Sequence, residues 1–140
     1  MDMETRAFMD AESATVSVID SADASCPFIP LVEGEGYAKA IMWPGNGAKH
    51  RTFHLIELAA GSKTVPLSHA SESVYYVIGG GGAIRDLKDG QSQPLIEGAM
   101  IHIGGGDRYQ FVAGGDAAMK LLGGPCPADP SLYDTLEARL

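Results

Sequence analysis

Four histidines, His50, His54, His69 and His102, are the residues of this chain best suited to acid–base or metal chemistry. Imidazole exchanges protons near neutral pH and ligates divalent metals, so each is a candidate base, acid or ligand. His69 has the most informative surroundings. In PLSHASESVYYVIGGGG (66–82) it stands just ahead of a β-type run, Val74-Tyr75-Tyr76-Val77-Ile78. Strand alternation puts Ser73 and Tyr75 on its face, where two hydroxyls can orient a ligand. His54 alternates with Ile56 and Leu58, while Arg51, Phe53, Leu55 and Glu57 share the other face. Glu57 marks that other face as the outer one, so His54 is expected to point inward. His102 lies between Ile101 and Ile103, and its facing is ambiguous. Glu72 sits one residue from Ser73 and is expected to point away from the shared face. Cys26 and Cys126 each precede a proline and have no CxxC or Cys-His spacing, so free thiols are expected rather than a disulfide or a metal site.

The elements that would position these residues are short. Apolar stretches alternate with Gly, Pro, Asp and Asn, giving candidate strands at 15–19, 37–43, 52–58, 74–78, 82–87, 92–96, 100–103, 109–113 and 117–122. PGNG (44–47), AAGS (59–62), KDG (88–90), GGG (104–106) and AGGD (113–116) separate them. Many short strands with regular turns predict an all-β sandwich or barrel. Gly79 to Gly82 is more glycine than one turn requires, and no local rule explains it. After Pro125, Pro127 and Pro130 the sheet is expected to stop. Asp129 can then cap a short C-terminal helix, SLYDTLEARL, with Leu132, Leu136 and Leu140 four apart. Three stretches follow: an N-terminal arm with a first strand (1–36), a barrel (37–124), and a proline-rich segment with the helix (125–140). An apolar outer face of the barrel would need covering, and the tail and helix are candidates for it.

Composition bounds the function. At 140 residues, the chain has the size of one domain with its own core. A net charge of −8 repels phosphate backbones, so nucleic-acid binding is not expected. It also disfavours a strongly anionic substrate, unless Lys49, Arg51 and Lys63 act as a local cluster. No apolar run approaches the roughly 18 residues that cross a bilayer. MDMETRAFMDAES lacks the apolar core of a secretion signal, so the cytoplasm is the expected compartment.

Two stretches together resemble the cupin family of small β-barrels. The family's first motif runs glycine, five residues, His-x-His, three or four residues, Glu, six residues, Gly. The chain matches its spacing with Gly61, Leu67, His69, Ser73 and Gly80. The second motif runs glycine, five residues, Pro-x-Gly, two residues, His, three residues, Asn. In EGAMIHIGGGDRYQFVA (97–113) its places fall on Gly98, Gly104, Gly106, Tyr109 and Ala113. The resemblance covers about residues 37–122 and implies a cupin-type double-stranded β-helix, a jelly-roll barrel, with a short C-terminal helix.

Family members usually hold a divalent metal with three histidines and one glutamate. Here the four places read Leu67, His69, Ser73 and Tyr109, and one histidine does not hold a divalent metal tightly. The expectation is therefore a pocket without a cofactor that binds a small organic molecule. Within it His69 would move a proton and Tyr109 would stabilise an oxygen, giving isomerase- or lyase-type chemistry: isomerisation, cyclisation or elimination. His54, Leu67, Ser73, Tyr75, Met100 and His102 are the candidate substrate-binding residues. One alternative is a non-catalytic ligand-binding or regulatory cupin. Another is a metal-dependent dioxygenase or lyase with a site rebuilt from His54, His69 and His102. Small cupins are often dimers, and the resemblance implies a homodimer.

Overall fold

The computed structural model describes residues 16–138. In chain order its strands are β1 (Phe28–Ile29), β2 (Val32–Glu33), β3 (Gly36–Met42), β4 (Phe53–Leu58), β5 (Lys63–Thr64), β6 (Glu72–Asp86), β7 (Ser92–Ile96), β8 (Met100–Ile103), β9 (Tyr109–Ala113) and β10 (Met119–Cys126). A 3-10 turn at Pro130–Tyr133 leads into α1 (Asp134–Ala138). All the strand pairs are antiparallel, and they form two sheets joined through β6. One sheet runs β1-β3-β4-β10-β6 with β8 on the far side of β6. The other contains β2, β5, β9, the second half of β6, and β7. The two curl toward each other as a barrel, with the short helix at the C-terminal end.

The long β6 replaces two expected strands, and the glycines between them are the reason. Val77 pairs with Leu121 and Gly79 with Lys120, so the register shifts at Ile78. This bulge changes which residues face inward. Before it, Ser73, Tyr75 and Val77 are buried; after it, Gly82, Ile84 and Asp86 pair with the inward-facing Ala113, Phe111 and Tyr109. Gly80 has φ +70°, and a Cβ at Gly82 would lie 2.0 Å from the Val112 carbonyl oxygen. Only glycine lets one strand cross between two sheets this closely.

The inward residues form one core. Ile56, Leu58, Val77, Phe111, Met119 and Leu121 are sealed from solvent. Tyr75 and Phe111 meet edge to face with centroids 4.8 Å apart. Two expectations change. Residues 16–19 of the expected first strand form no strand, because Val16 and Val18 are exposed and have no neighbouring strand to pair with among the described residues; the earlier part of the arm, Arg139 and Leu140 lie outside the described residues. β10 does not stop short of the prolines but pairs through Pro125 and Cys126 with Ser73 and Glu72. Cys26 is buried and Cys126 exposed, and both are free thiols.

Candidate functional site

An antiparallel bridge between Leu67 and Tyr109 brings the two motif regions together. Each donates its amide to the other's carbonyl, at 2.8 and 2.9 Å. Two residues beyond Leu67, His69 therefore turns its ring toward Tyr109 on the first position of β9. His69 Nε2 is 3.0 Å from the Tyr109 hydroxyl, which is 2.9 Å from the Tyr75 hydroxyl. His69 Nδ1 is 2.7 Å from Oδ2 of Asp129, which belongs to the segment leaving β10. Four side chains thus form one hydrogen-bonded chain, Asp129–His69–Tyr109–Tyr75. Ser73 is buried on the same face of β6 as Tyr75.

Burial raises the Tyr109 pKa, against the opposing pull of hydrogen bonding from Tyr75 and Ser73. Tyr75 is pushed well above the ordinary phenol range by burial and by Tyr109. Both phenols stay protonated at neutral pH. For Asp129, burial raises the pKa, but the hydrogen bonds from His69 and Ser131 together outweigh it and leave the carboxyl below its usual value. The chain thus runs from an anionic end to a neutral phenolic end.

His54 lies beside this chain, fully buried on β4. Its Nε2 is 2.7 Å from the Tyr133 hydroxyl, and Nδ1 has no partner among the described residues. Burial, then the nearby His69, lower its pKa to about 4, so its ring is neutral at pH 7. Tyr133 packs against Trp43, the rings tilted by 44° with centroids 4.8 Å apart. The segment after β10 therefore folds across the mouth of the barrel and brings both Asp129 and Tyr133 to the buried histidines.

Two clefts reach the chain from different sides. The larger, about 440 Å3, opens where β7 and β8 diverge along β6. Ile84, Leu95, Ile101, Ile103 and Tyr109 line its apolar wall, and Asp86, Asp89, Gln93, Asp107 and Arg108 its polar parts. The smaller, about 260 Å3, lies against the C-terminal segment and touches His69, Asp129, Leu67 and Leu132. Tyr109 lines the first cleft, and Asp129 and His69 the second.

The candidate residues therefore separate. His54, Leu67, His69, Ser73, Tyr75 and Tyr109 all face the barrel interior. Met100 and His102 do not: they are the outward residues of β8, alternating with the buried Ile101 and Ile103. Both nonetheless line the larger cleft, from its outer side. His102 instead bonds Glu72, 3.1 Å away on the outer surface, where both are exposed. His102 thus cannot join His54 and His69 in one interior site. Asp129 and Tyr133, absent from the candidate set, also reach the interior side chains: Tyr133 is buried, and Asp129 is partly exposed where it meets His69. The sequence predicts Asp129 only as a cap; Oδ1 fills that role, and Oδ2 makes the contact with His69. No sequence signal marks Tyr133 beyond its place in the helical stretch.

No family model matches the chain, and no curated protein does. Solved structures do. A polyketide cyclase, RemF, from Streptomyces resistomycificus superposes with a TM-score of 0.65 at 20% identity, over 86% of this chain and 94% of that one. A protein described as a predicted oxalate decarboxylase from Thermotoga maritima gives 0.62 at 20% identity, over 76% and 96%. A cupin 2 conserved barrel domain protein from Salinispora arenicola gives 0.58 at 19%, over 91% and 98%. The chain has the fold of the cupin superfamily. The residues do not fit the metal this fold often carries. Leu67 has no donor, Ser73 offers a neutral hydroxyl, and both nitrogens of His69 are bonded to side chains. Among the described residues no three His, Cys, Asp or Glu side chains are grouped to hold an ion.

Proposed function

We propose that the protein binds a small organic molecule in the cleft between β7 and β8 and moves a proton on it through Tyr109, giving isomerisation, cyclisation or elimination. One observation carries this reading: Tyr109 belongs both to the cleft wall and to the buried hydrogen-bonded chain. The expected roles shift accordingly. His69 has both ring nitrogens engaged, so it exchanges a proton with Tyr109 and does not meet the ligand. Tyr109, held protonated by burial, has one hydroxyl hydrogen, which goes either to His69 or to a ligand oxygen. It can accept a ligand proton only as its own proton passes to His69. The apolar wall of Leu95, Ile101 and Ile103 suits an apolar ligand body. Asp86, Asp89 and Asp107 outnumber Arg108 there, which favours a neutral or cationic ligand over an anion. Cyclisation stays in the set because a polyketide cyclase shares the fold; that likeness brings no substrate with it.

We propose the reaction without a divalent metal, on the donor set Leu67, Ser73 and Tyr109 beside an engaged His69. The test has two arms. Metal analysis of freshly purified protein should find far less than one transition-metal ion per chain; near-stoichiometric iron, zinc, nickel or manganese surviving dialysis overturns this. Small neutral carbonyl compounds should be screened in deuterated water for solvent deuterium uptake. On any compound that reacts, Tyr109→Phe and His69→Gln should each lower kcat by about 10²–10⁴, the usual scale of acid–base catalysis, and move KM far less. Parent-like turnover in both variants refutes the assignment. A second reading, ligand binding without turnover, is favoured by the mutual satisfaction of the chain's hydroxyls, which leaves Tyr109 and Tyr75 almost wholly buried; binding in the cleft with no deuterium uptake would support it. The assembly proposed is a homodimer and the compartment the cytoplasm.

A further inference from the structure

Asp129 divides its carboxylate between two partners. Oδ1 accepts from the Ser131 amide at 3.0 Å and from the Ser131 hydroxyl at 2.8 Å, starting the 3-10 turn. Oδ2 lies 2.7 Å from His69 Nδ1, sixty residues away in sequence. An ionised carboxylate can only accept, so Nδ1 carries the hydrogen of that bond. In the neutral ring Nε2 is then bare, and it faces the Tyr109 hydroxyl at 3.0 Å. That hydroxyl donates to Nε2, and the Tyr75 hydroxyl, 2.9 Å away, donates to the Tyr109 oxygen. Every bond runs in one direction, from Tyr75 to Asp129. The opposite tautomer would set a bare Nδ1 against a carboxylate oxygen, with no hydrogen between them.

We propose that Asp129 is a positioning residue for proton transfer at Tyr109: it fixes the His69 tautomer whose bare Nε2 takes the Tyr109 proton. The inference rests on the proton-transfer reading above. A ligand C–H proton moves to the Tyr109 oxygen as the Tyr109 proton moves to Nε2. The bonding pair stays on the ligand as a carbanion or enolate, and the imidazolium lies against Asp129. Return of the proton along the same path to a second ligand atom restores the starting state. Nothing is oxidised or reduced. The segment that crosses the barrel mouth thus supplies the anionic end of the chain, while Tyr109 supplies the end at the cleft. This is the arrangement of a base oriented by a third group.

The tautomer can be read without any substrate, from imidazole nitrogen NMR on the full-length 15N-labelled protein. The parent should hold His69 with hydrogen on Nδ1. Asp129→Asn keeps the cap, because the amide oxygen must face the Ser131 donors, and this turns the amide nitrogen to His69. That nitrogen donates, so the preference for hydrogen on Nδ1 should be lost. Ser131→Ala removes one bond to Oδ1, leaves Oδ2 in place, and should keep the parent tautomer. A parent ring with hydrogen on Nε2, an Asp129→Asn ring unchanged, or a Ser131→Ala ring changed as Asp129→Asn is expected to be, each overturns the proposal. On a reacting compound, Asp129→Asn should lower kcat and leave KM near the parent value; an unchanged kcat overturns the positioning role. Failure of every compound to react, with the tautomers as expected, would instead sink the proton-transfer reading.

Discussion

At the scale of single residues, His54 gives the protein a defined pH dependence. Its folded pKa, about 4, lies below the roughly 6.5 of an exposed histidine, chiefly through burial. Between those values the unfolded chain binds more protons than the folded one. Stability is therefore fully present above about pH 6.5 and is lost as the pH falls toward 4, by on the order of 3 kcal/mol. Asp129, with its pKa lowered on balance by His69 and Ser131, adds a loss of the same sign at lower pH, below its unfolded value. Urea unfolding at pH 7 and 4.5 should show the lower midpoint at pH 4.5, and His54→Gln should flatten that difference. A variant that loses stability on acidification as steeply as the parent would show that another group is responsible. The inward facing of His54 was legible because Glu57 marked the opposite face of its strand. His102 carried a usable signal too: two β-branched apolar neighbours claim the inner face and leave it outside. Asp129 was not legible as a partner of His69, because its segment matches no motif and the contact depends on how the chain turns after β10.

At the scale of elements, the run Gly79–Gly82 decides whether the two sheets can share a strand. A sequence reader sees a break between two strands; the backbone instead bulges at Ile78 and continues to Asp86. Alternation cannot reveal this, because a bulge changes the inward parity partway along the strand. The strands at 92–96, 100–103 and 109–113 were readable because each is bounded by turn residues and keeps one parity. The two-residue strands β1, β2 and β5 were not, since so short a stretch has no period. The four glycines are not equivalent. A Cβ at Gly79 meets nothing within 4 Å, whereas at Gly82 it would meet the Val112 oxygen at 2.0 Å and the Ala113 Cα at 2.9 Å. Gly79→Ala should change stability by less than about 1 kcal/mol. Gly82→Ala should destabilise by roughly 1–3 kcal/mol or more, since β6 and β9 must move apart. Equal unfolding midpoints for the two variants would mean that the crossing tolerates a side chain.

At the scale of the whole molecule, the C-terminal segment does a different job from the one its apolar stripe suggested. Leu132 and Leu136 pack against the core, and Asp129 and Tyr133 reach the buried histidines, so the segment closes the barrel mouth. It does not cover the outer face of the β6–β8 sheet. That face keeps Val74, Tyr76, Ile78 and Met100 between 38% and 66% exposed. These side chains are contiguous, since Tyr76 pairs with Met100 and Val74 with His102. The hydrogen-bonded Glu72–His102 pair lies beside them and edges the apolar patch with polar groups. Such a face can meet its own copy across a two-fold axis, apolar centre on apolar centre. A second copy is the proposed cover, and sedimentation at micromolar concentration should give a dimer. Tyr76→Lys puts a charge at the centre of that contact and leaves the barrel interior untouched, because the side chain points outward. It should shift the protein to monomer with an unchanged far-ultraviolet spectrum, and the loss should be partly reversed by raising the concentration. A monomeric parent, or a Tyr76→Lys protein as dimeric as the parent, would exclude this face as the interface.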